Sequence, residues 1–493
     1  MEEVKPLIST KPRVYARRWW VLCYFSISSM FITGSWNTWG PITESVKYSF
    51  GWGDSFIADI LNVGRIGMFL SIIPMSYFID TKGIRIGMVS STSFLLVGYI
   101  LRCCINLTPS TWPALLGQTF IGCGNVIGYS GPAAMSVAWF PHNERATSTS
   151  IAVMSTYVGL GIAYIINPLL VSAPVFGQVI TGYQNTTEST IPSDQGPTHT
   201  YGVFNASTTS VVLNKDIMEE EIMTLIYIET GITALLLLIA VTLVPNVPPT
   251  PPSRSANATR MGYTKVFLHL IRNGFLCLLV VYTGIMIGVY STWVVIFGIA
   301  FEHLGIEQKE AGWLGFTCLI GSSVLGFISA RFSDLCSRRL KTILVIMLVI
   351  ASLMFLWVSL LCSQYIDYSK EQLFASTILA CAFLNGCVPL LYEQICNAAF
   401  PIPEGIIVGI SGLVTMIGGI FYMLPISLVE FEDNSWLEWS LLVLCVVGCV
   451  VIMVTPQRNG RAELDVSVRV EKAYYYERLD TEQTGLLKVP ENA

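Results

Sequence analysis

Phe140-Pro141-His142-Asn143-Glu144 returns as Phe400-Pro401-Ile402-Pro403-Glu404, and each copy follows an apolar run with an asparagine, Asn125 or Asn385, fifteen residues before the phenylalanine. A looser pair extends the pattern, Asp80-Thr-Lys-Gly-Ile-Arg85 and Asp334-Leu-Cys-Ser-Arg-Arg339. Matching elements about 255 to 260 residues apart predict a duplicated chain. The runs between them say what is duplicated. A helix that crosses a bilayer needs about 20 mostly apolar residues. Runs of that kind lie at 19–41, 56–79, 85–105, 112–138, 148–170, 223–244, 273–300, 312–331, 341–362, 373–397, 405–428 and 437–455. They are continuous rather than alternating, which predicts helices and not barrel strands. The expected fold class is all-α: a polytopic membrane protein with twelve transmembrane helices in two pseudo-symmetric six-helix halves.

Composition agrees. With 53% hydrophobic and 12% charged residues and a mean hydropathy of +0.60, the chain lacks the charge to coat a soluble surface of 493 residues. The net charge of -5 is spread over loops and tails and offers no nucleic-acid footprint. Of thirteen cysteines, Cys23, Cys123, Cys277, Cys318, Cys381, Cys387, Cys445 and Cys449 fall inside apolar runs, where they read as packing residues. No Cys-x-x-Cys occurs, and the four histidines, at 142, 199, 269 and 303, are scattered, so neither metal nor cofactor is expected. An enzyme is not expected either, for no nucleophile with a base and no phosphate loop can be read. Nothing apolar precedes Arg17-Arg18, so the first membrane helix is expected to act as the insertion signal.

Orientation follows from the basic residues. Twenty-two of the 28 Lys and Arg fall on one side, four fall on the other, and Arg65 and Arg102 lie at membrane depth, which places both termini in the cytosol. The sequons Asn106-Leu-Thr, Asn185-Thr-Thr and Asn205-Ala-Ser then fall on the luminal side, where they can carry glycans; Asn257-Ala-Thr falls on the cytosolic side. The organisation read from this is a cytosolic tail (1–18), a six-helix half (19–244) with a long flexible luminal loop at about 171–222, a proline-rich cytosolic linker (245–266), a second six-helix half (267–455) and a second tail (456–493).

Ionisable groups at membrane depth need a partner or a water-filled cavity. Glu229 and Glu393 are the clearest. A partly desolvated carboxyl suits a group that takes up a proton on an acidic side and releases it on the other, and it equally suits a buried acid bonded for packing. Asp59, Asn62 and Arg65 share one broad helix face, as the mouth of a cavity or an internal charge pair with a structural role. Arg102 and Glu44 lie near luminal ends and can snorkel to water. In Gly34-Ser-Trp36-Asn37-Thr-Trp39-Gly-Pro41, helix rise puts Trp39 near the luminal boundary as an anchor and Trp36 a turn deeper, toward a cavity. Tyr290-Ser-Thr-Trp293 mirrors that pattern in the second half. Such aromatics can sandwich a ring or hold an ammonium, with Asn37, Asn125, Asn385 and Gln394 adding directed hydrogen bonds. For the asparagines, bonding between helices is the competing use. The charged set at the cytosolic ends, Asp80, Arg85, Glu144, Arg145, Asp334, Arg338, Arg339 and Glu404, suits networks that latch the halves closed there.

Twelve helices, two halves and a helix 2–3 loop of the form Asp80-x-x-Gly83-x-Arg85 resemble the major facilitator superfamily, although Thr81 stands where that loop usually has a basic residue. More specifically, Arg17-Arg18-Trp19, Trp36-Asn-Thr-Trp39-Gly-Pro-Ile42, Trp139-Phe-x-x-x-Glu144-Arg-Ala-Thr147 and Pro401-x-Pro-Glu404-Gly405-Ile406 resemble the feline leukaemia virus subgroup C receptor group, and look closest to its lysosomal branch. The resemblance implies transport of small organic solutes, with choline, haem and pyridoxine as substrates of different members and proton-dependent pyridoxine movement in the lysosomal one. The histidines are poorly placed for haem. Glu3-Val-Lys-Pro-Leu7-Ile8 resembles the adaptor-binding signal of lysosomal membrane proteins, and Glu482-Gln-Thr-Gly-Leu486-Leu487 repeats it. The expected partners are thus a small-molecule substrate, protons, the lipid bilayer and a clathrin adaptor. The expected residence is the lysosomal membrane, with the plasma membrane second.

Overall fold

The computed structural model describes residues 13–107, 111–172, 174, 176–180, 208–212, 214–250, 252, 263–295, 301, 304, 306, 308–335, 339–367, 369–428 and 436–456. The sorting residues Glu3, Leu7 and Ile8, the sequons at Asn185 and Asn205, and Arg338 lie outside the described residues.

The first half comprises α1 (Arg17–Trp36), the short α2 (Thr43–Phe50), α3 (Asp54–Lys82), α4 (Ile84–Cys103), α5 (Trp112–Asn125), α6 (Ile127–Trp139), α7 (Arg145–Leu170) and α8 (Lys215–Leu243). The second has a short α9 (Tyr263–Arg272) and then α10 (Gly274–Val295), α11 (Gln308–Leu335), α12 (Leu340–Cys362), α13 (Lys370–Gly386), α14 (Val388–Ala399), α15 (Glu404–Leu428) and α16 (Trp436–Val454). Among the described residues ten segments are long and apolar enough to cross a membrane, α13 and α14 together making one; α1 and the pair α5–α6 complete the expected twelve. Leucines and valines such as Leu70, Leu235 and Val443 stand exposed on the outside of the bundle, as lipid-facing residues do.

Two features depart from the reading of the sequence. The fourth and tenth spans are each broken in two, beside the paired Asn125 and Asn385. Pro389 lacks the N–H that would reach the Asn385 carbonyl, which accounts for the second break. The long loop is also shorter and more ordered at its ends than expected. Helix α8 begins at Lys215, and β1 (Phe176–Ile180) pairs antiparallel with β2 (Thr208–Val212), Phe176 opposite Val212.

One apolar core lies within the first half; the other, mostly of the second half, takes in Ala133, Ala146, Val153 and Met154 of the first, and a small third cluster of Met68, Ile72, Met75, Val126 and Met416 also draws on both halves. Two seams join the halves. Along the first, α15 presents Gly405, Gly409 and Gly412 to Asp80, Ser76 and Ile72 of α3, where an added Cβ would push against the facing side chain at each of the three. Along the second, Ser323 of α11 donates to the Met154 carbonyl of α7 (3.3 Å), and Phe316 lies against Gly161. We call the side on which α1 begins and α16 ends the terminal face, and the opposite side the far face.

Candidate substrate site and gates

Both seams are bolted at the terminal face by a carboxylate. The two oxygens of Asp80, near the end of α3, accept the backbone N–H groups of Gly405 (3.0 Å) and Ile406 (2.8 Å), the second and third residues of α15. Asp334, near the end of α11, accepts those of Ala146 (3.1 Å) and Thr147 (2.7 Å), the second and third residues of α7. A helix start has unbonded N–H groups and the positive end of the peptide dipole, so a carboxylate is held there by charge and by two hydrogen bonds. A Cβ at Gly405 would come within 2.5 Å of Asp80 Oδ1, which explains the glycine. The two bolts run in opposite directions, one from each half into the other.

The rest of the charged set divides. Glu144 pairs with Arg18 of α1 (2.9 Å), whose guanidinium also lies over the Trp19 and Phe140 rings, and Arg85 donates to the Val241 carbonyl at the end of α8. These ties stay inside the first half rather than crossing to the second. Arg145 and Glu404 are buried at the starts of α7 and α15, and Arg339 is exposed. Glu393 lies six residues before the end of α14, about 9 Å by helix rise, and within electrostatic range of Asp334. It therefore belongs near the terminal-face bolt rather than at the centre of its span.

The second membrane carboxylate sits elsewhere. Helix α1 stops at Trp36, and the chain turns so that Thr38 Oγ1 lies 3.0 Å from Glu229 Oε1 on α8. Arg102 of α4 donates to the same hydroxyl (3.3 Å) and to Gln118 Oε1, and its guanidinium lies over the rings of Trp39 (4.9 Å) and Tyr99 (5.3 Å). Asn167 of α7 donates to the Thr38 carbonyl (3.2 Å), and Gln118 donates to the Trp36 carbonyl (3.3 Å). Arg102 is 0%, Trp39 1% and Glu229 7% exposed, so the snorkelling expected of Arg102 is corrected, and Trp39 is covered by Arg102 rather than open to a membrane boundary. Gln118 and the turned end of α1 cover what the sequence left open to water.

At the interface between the halves, Tyr157 lies within electrostatic range of tyrosines from three other helices. Tyr392 (α14) is within electrostatic range of Tyr157 (α7) and Tyr129 (α6), Tyr157 of Tyr129, and Tyr290 (α10) of Tyr157. A Cβ on Gly412 of α15 would stand 3.5 Å from Tyr129 Cδ1, which fixes Tyr129 against the opposite half. The Tyr290 hydroxyl is 3.4 Å from Ser322 Oγ. Toward the far face, a cavity of about 490 Å³ opens between Gly40–Ser45, the end of α7 at Tyr164 and Pro168, and the start of α11 at Gly312, Trp313 and Phe316. Tyr164 and Tyr157 are seven residues apart on α7, so this vestibule lies about 10 Å from the tyrosine cluster.

The predicted site residues fall at different distances from that centre. Tyr290 belongs to it. Trp36 is half-buried inside the first half, its ring against Gly64, where a Cβ would meet Trp36 Cη2 at 2.8 Å. Trp293 is sealed edge-on against Phe355 (5.6 Å) and Phe301 (6.1 Å). Asn37, Asn125, Asn385 and Gln394 are buried. Neither amide atom of Asn385 and not the Gln394 carbonyl finds a protein partner among the described residues, so both retain capacity for a ligand or water. Asp59 and Arg65 form no pair: Asp59 is exposed, and among the described residues the side-chain hydrogen bond of Arg65 is to Asn62 (3.5 Å). Tyr129, Tyr157 and Tyr392 are not singled out by the sequence; tyrosines deep within apolar runs are the available signal. Among the described residues no group of three or more His, Cys, Asp or Glu side chains is placed to hold a metal.

A family model described as Major Facilitator Superfamily matches residues 24–180. A Xenopus laevis protein named solute carrier family 49 member 4 homolog is 30% identical, covering 93% of this chain and 95% of its own. The Danio rerio choline/ethanolamine transporter flvcr2b is 24% identical over 96% of this chain and 89% of its own. Among solved structures, the E. coli fucose:proton symporter FucP superposes with a TM-score of 0.62 at 14% identity, over 90% of this chain and 100% of that one; this last likeness bears on fold alone.

Proposed function

The chain belongs to solute carrier family 49 of the major facilitator superfamily, a transporter of small solutes, and from that premise we propose that it carries pyridoxine, or a similarly small ring compound, across the lysosomal membrane together with a proton. The observation that carries this reading is the convergence of Tyr129 and Tyr157 from one half with Tyr290 and Tyr392 from the other. A ring held there touches both halves, so its binding energy bears on how they rock against each other. Solute enters through the far-face vestibule while the Asp80 and Asp334 bolts keep the terminal face shut. Release requires both bolts to open.

Coupling is assigned to Glu393. It is adjacent to Tyr392 and within electrostatic range of Asp334, so two carboxylates act on each other beside one bolt. A proton on Glu393 removes one of those charges and favours the bolted state; its loss toward the terminal side weakens the bolt. Glu229, enclosed with Thr38 and Arg102, is assigned the lesser part of holding the turned end of α1. Lysosomal residence is supported by the acidic–dileucine pattern ending in Leu7-Ile8, which a clathrin adaptor would read from a cytosolic tail. On this topology the exposed Asn106, with Asn185 and Asn205, lies in the lumen and accepts glycans. The test is uptake of labelled pyridoxine into cells by a form with Leu7 and Ile8 changed to Ala to route it to the surface. Acid-stimulated uptake above that of untransfected cells is expected, and its absence would refute the reading.

A second reading, a choline facilitator without proton coupling, draws on the relatives named choline/ethanolamine transporters and on the affinity of aromatic faces for ammonium groups, about 0.5 to 2 kcal/mol per contact. Glu393→Gln separates the two. It leaves uptake intact under the second reading and abolishes the pH response under the first.

A further inference from the structure

Arg65 stands eleven residues into the 29-residue helix α3, at a depth where an unpaired charge is costly and marks a function unless packing neutralises it. Its contacts are an amide oxygen, Asn62 Oδ1, at the 3.5 Å limit of a hydrogen bond, and the electrostatic reach of Tyr129. No carboxylate among the described residues engages it. Asp59, nearer the far face on the same helix, is exposed; Glu229 meets Thr38, Asp80 and Asp334 hold the bolts, and Glu393 is within electrostatic range of Asp334. Arg102 shows the contrast, because it is sealed under two aromatic rings and two hydrogen bonds, whereas Arg65 is only half-buried. Along the same stripe of α3, Met68 and Ile72 are closed into the cluster between the halves with Val126 and Met416. Arg65 therefore lies where the closed part of the α3–α15 seam ends, one turn toward the far face and beside a tyrosine of the proposed site.

We propose that Arg65 is the specificity residue of the solute site, pairing with an oxyanion carried on the ring that the tyrosines hold. The ligand class is a flat aromatic compound with a phenolate, carboxylate or phosphate oxygen. A 3-hydroxypyridine fits, since near neutrality its phenolic proton moves to the ring nitrogen and leaves an oxyanion on the ring. A quaternary ammonium such as choline does not fit, because it would face a like charge in a poorly solvated site. A guanidinium suits the task better than an ammonium, since it offers two parallel donors to one anionic group and stacks on an aromatic face. The proposal rests on the site named under the proposed function, and it specifies what that site selects.

The test is binding to the purified full-length protein in detergent, read by tryptophan fluorescence, with pyridoxine, 3-deoxypyridoxine, nicotinate and choline as probes. Wild type, Arg65→Lys and Arg65→Gln are compared, with unliganded melting temperature recorded for each. We expect wild type to prefer pyridoxine over its 3-deoxy analogue by roughly tenfold to a hundredfold, the range of a charge-assisted hydrogen bond. Arg65→Gln brings that ratio to about one at an unchanged melting temperature, and Arg65→Lys, which keeps the charge but not the fork, retains part of it. If Arg65→Gln does not fold, the reduced ratio in Arg65→Lys serves as the reading. Binding of nicotinate but not pyridoxine, lost in Arg65→Gln, would uphold the role of Arg65 and refute pyridoxine as the solute. A preference that survives Arg65→Gln, tighter binding of choline than of any oxyanion-bearing ring, or no binding of such rings, would overturn the proposal.

Discussion

Trp36-Asn-Thr-Trp39 and Tyr290-Ser-Thr-Trp293 stand 254 residues apart in matching helices, and they finish differently. Helix α1 stops at Trp36, whereas α10 runs on through its copy to Val295. The Thr38 hydroxyl meets Glu229 across the bundle; that of Thr292 turns back to its own helix, to the Gly288 carbonyl at 2.8 Å. Trp39 lies on the guanidinium of Arg102, and Trp293 lies edge-on to Phe355 and Phe301. One local pattern thus yields a charged joint in one half and an apolar plug in the other. The difference comes from distant helices: α4 and α8 supply Arg102 and Glu229, while α12 supplies Phe355. A charged joint is held all or nothing, because removing one member strands the other. An apolar plug degrades by degrees.

The most damaging way to break the comparison is Arg102→Leu, which leaves Glu229 enclosed without its cation. A loss of about 3 to 5 kcal/mol is expected, read as melting temperature in detergent, with partial recovery when Glu229→Leu is added. Next come the bolts. Asp80→Asn and Asp334→Asn each remove a charge bonded to two N–H groups, so each should shift the equilibrium by about 2 to 3 kcal/mol toward an open terminal face. Reactivity of single cysteines placed along the α3–α15 and α7–α11 seams would measure it, and unequal effects would show that the two bolts are not equivalent. Thr38→Val removes the hydroxyl between Arg102 and Glu229 and should cost about 1 to 3 kcal/mol. Thr292→Val, in the matching position, gives up only a bond to its own backbone and should stay within about 0.5 kcal/mol. Equal costs for the two threonines would mean that the joint and the plug are held alike.

Much of the fold was legible because 20-residue apolar runs dominate every other signal, and the repeated Phe-Pro-x-x-Glu located the duplication. The bolts were legible only by half. Asp80 and Asp334 stood out, but their partners are backbone N–H groups at helix starts, which carry no residue identity to read. Glu229 was legible as an acid in an apolar run. Arg102 was not legible as its neighbour, because it lies 127 residues away and near a helix end, where snorkelling is the ordinary behaviour. Tyr129 and Tyr157 were missed since a tyrosine inside an apolar run reads as core until the opposite half is brought against it.

The central claim, a ring-binding site shared by the two halves, is tested most directly by counterflow. Purified protein in liposomes preloaded with unlabelled pyridoxine is given a trace of labelled pyridoxine outside. The account predicts transient accumulation of label by wild type and none by Tyr157→Ala/Tyr392→Ala, which loses one tyrosine from each half. Accumulation no greater than in protein-free liposomes, or undiminished accumulation by the double variant, would contradict it.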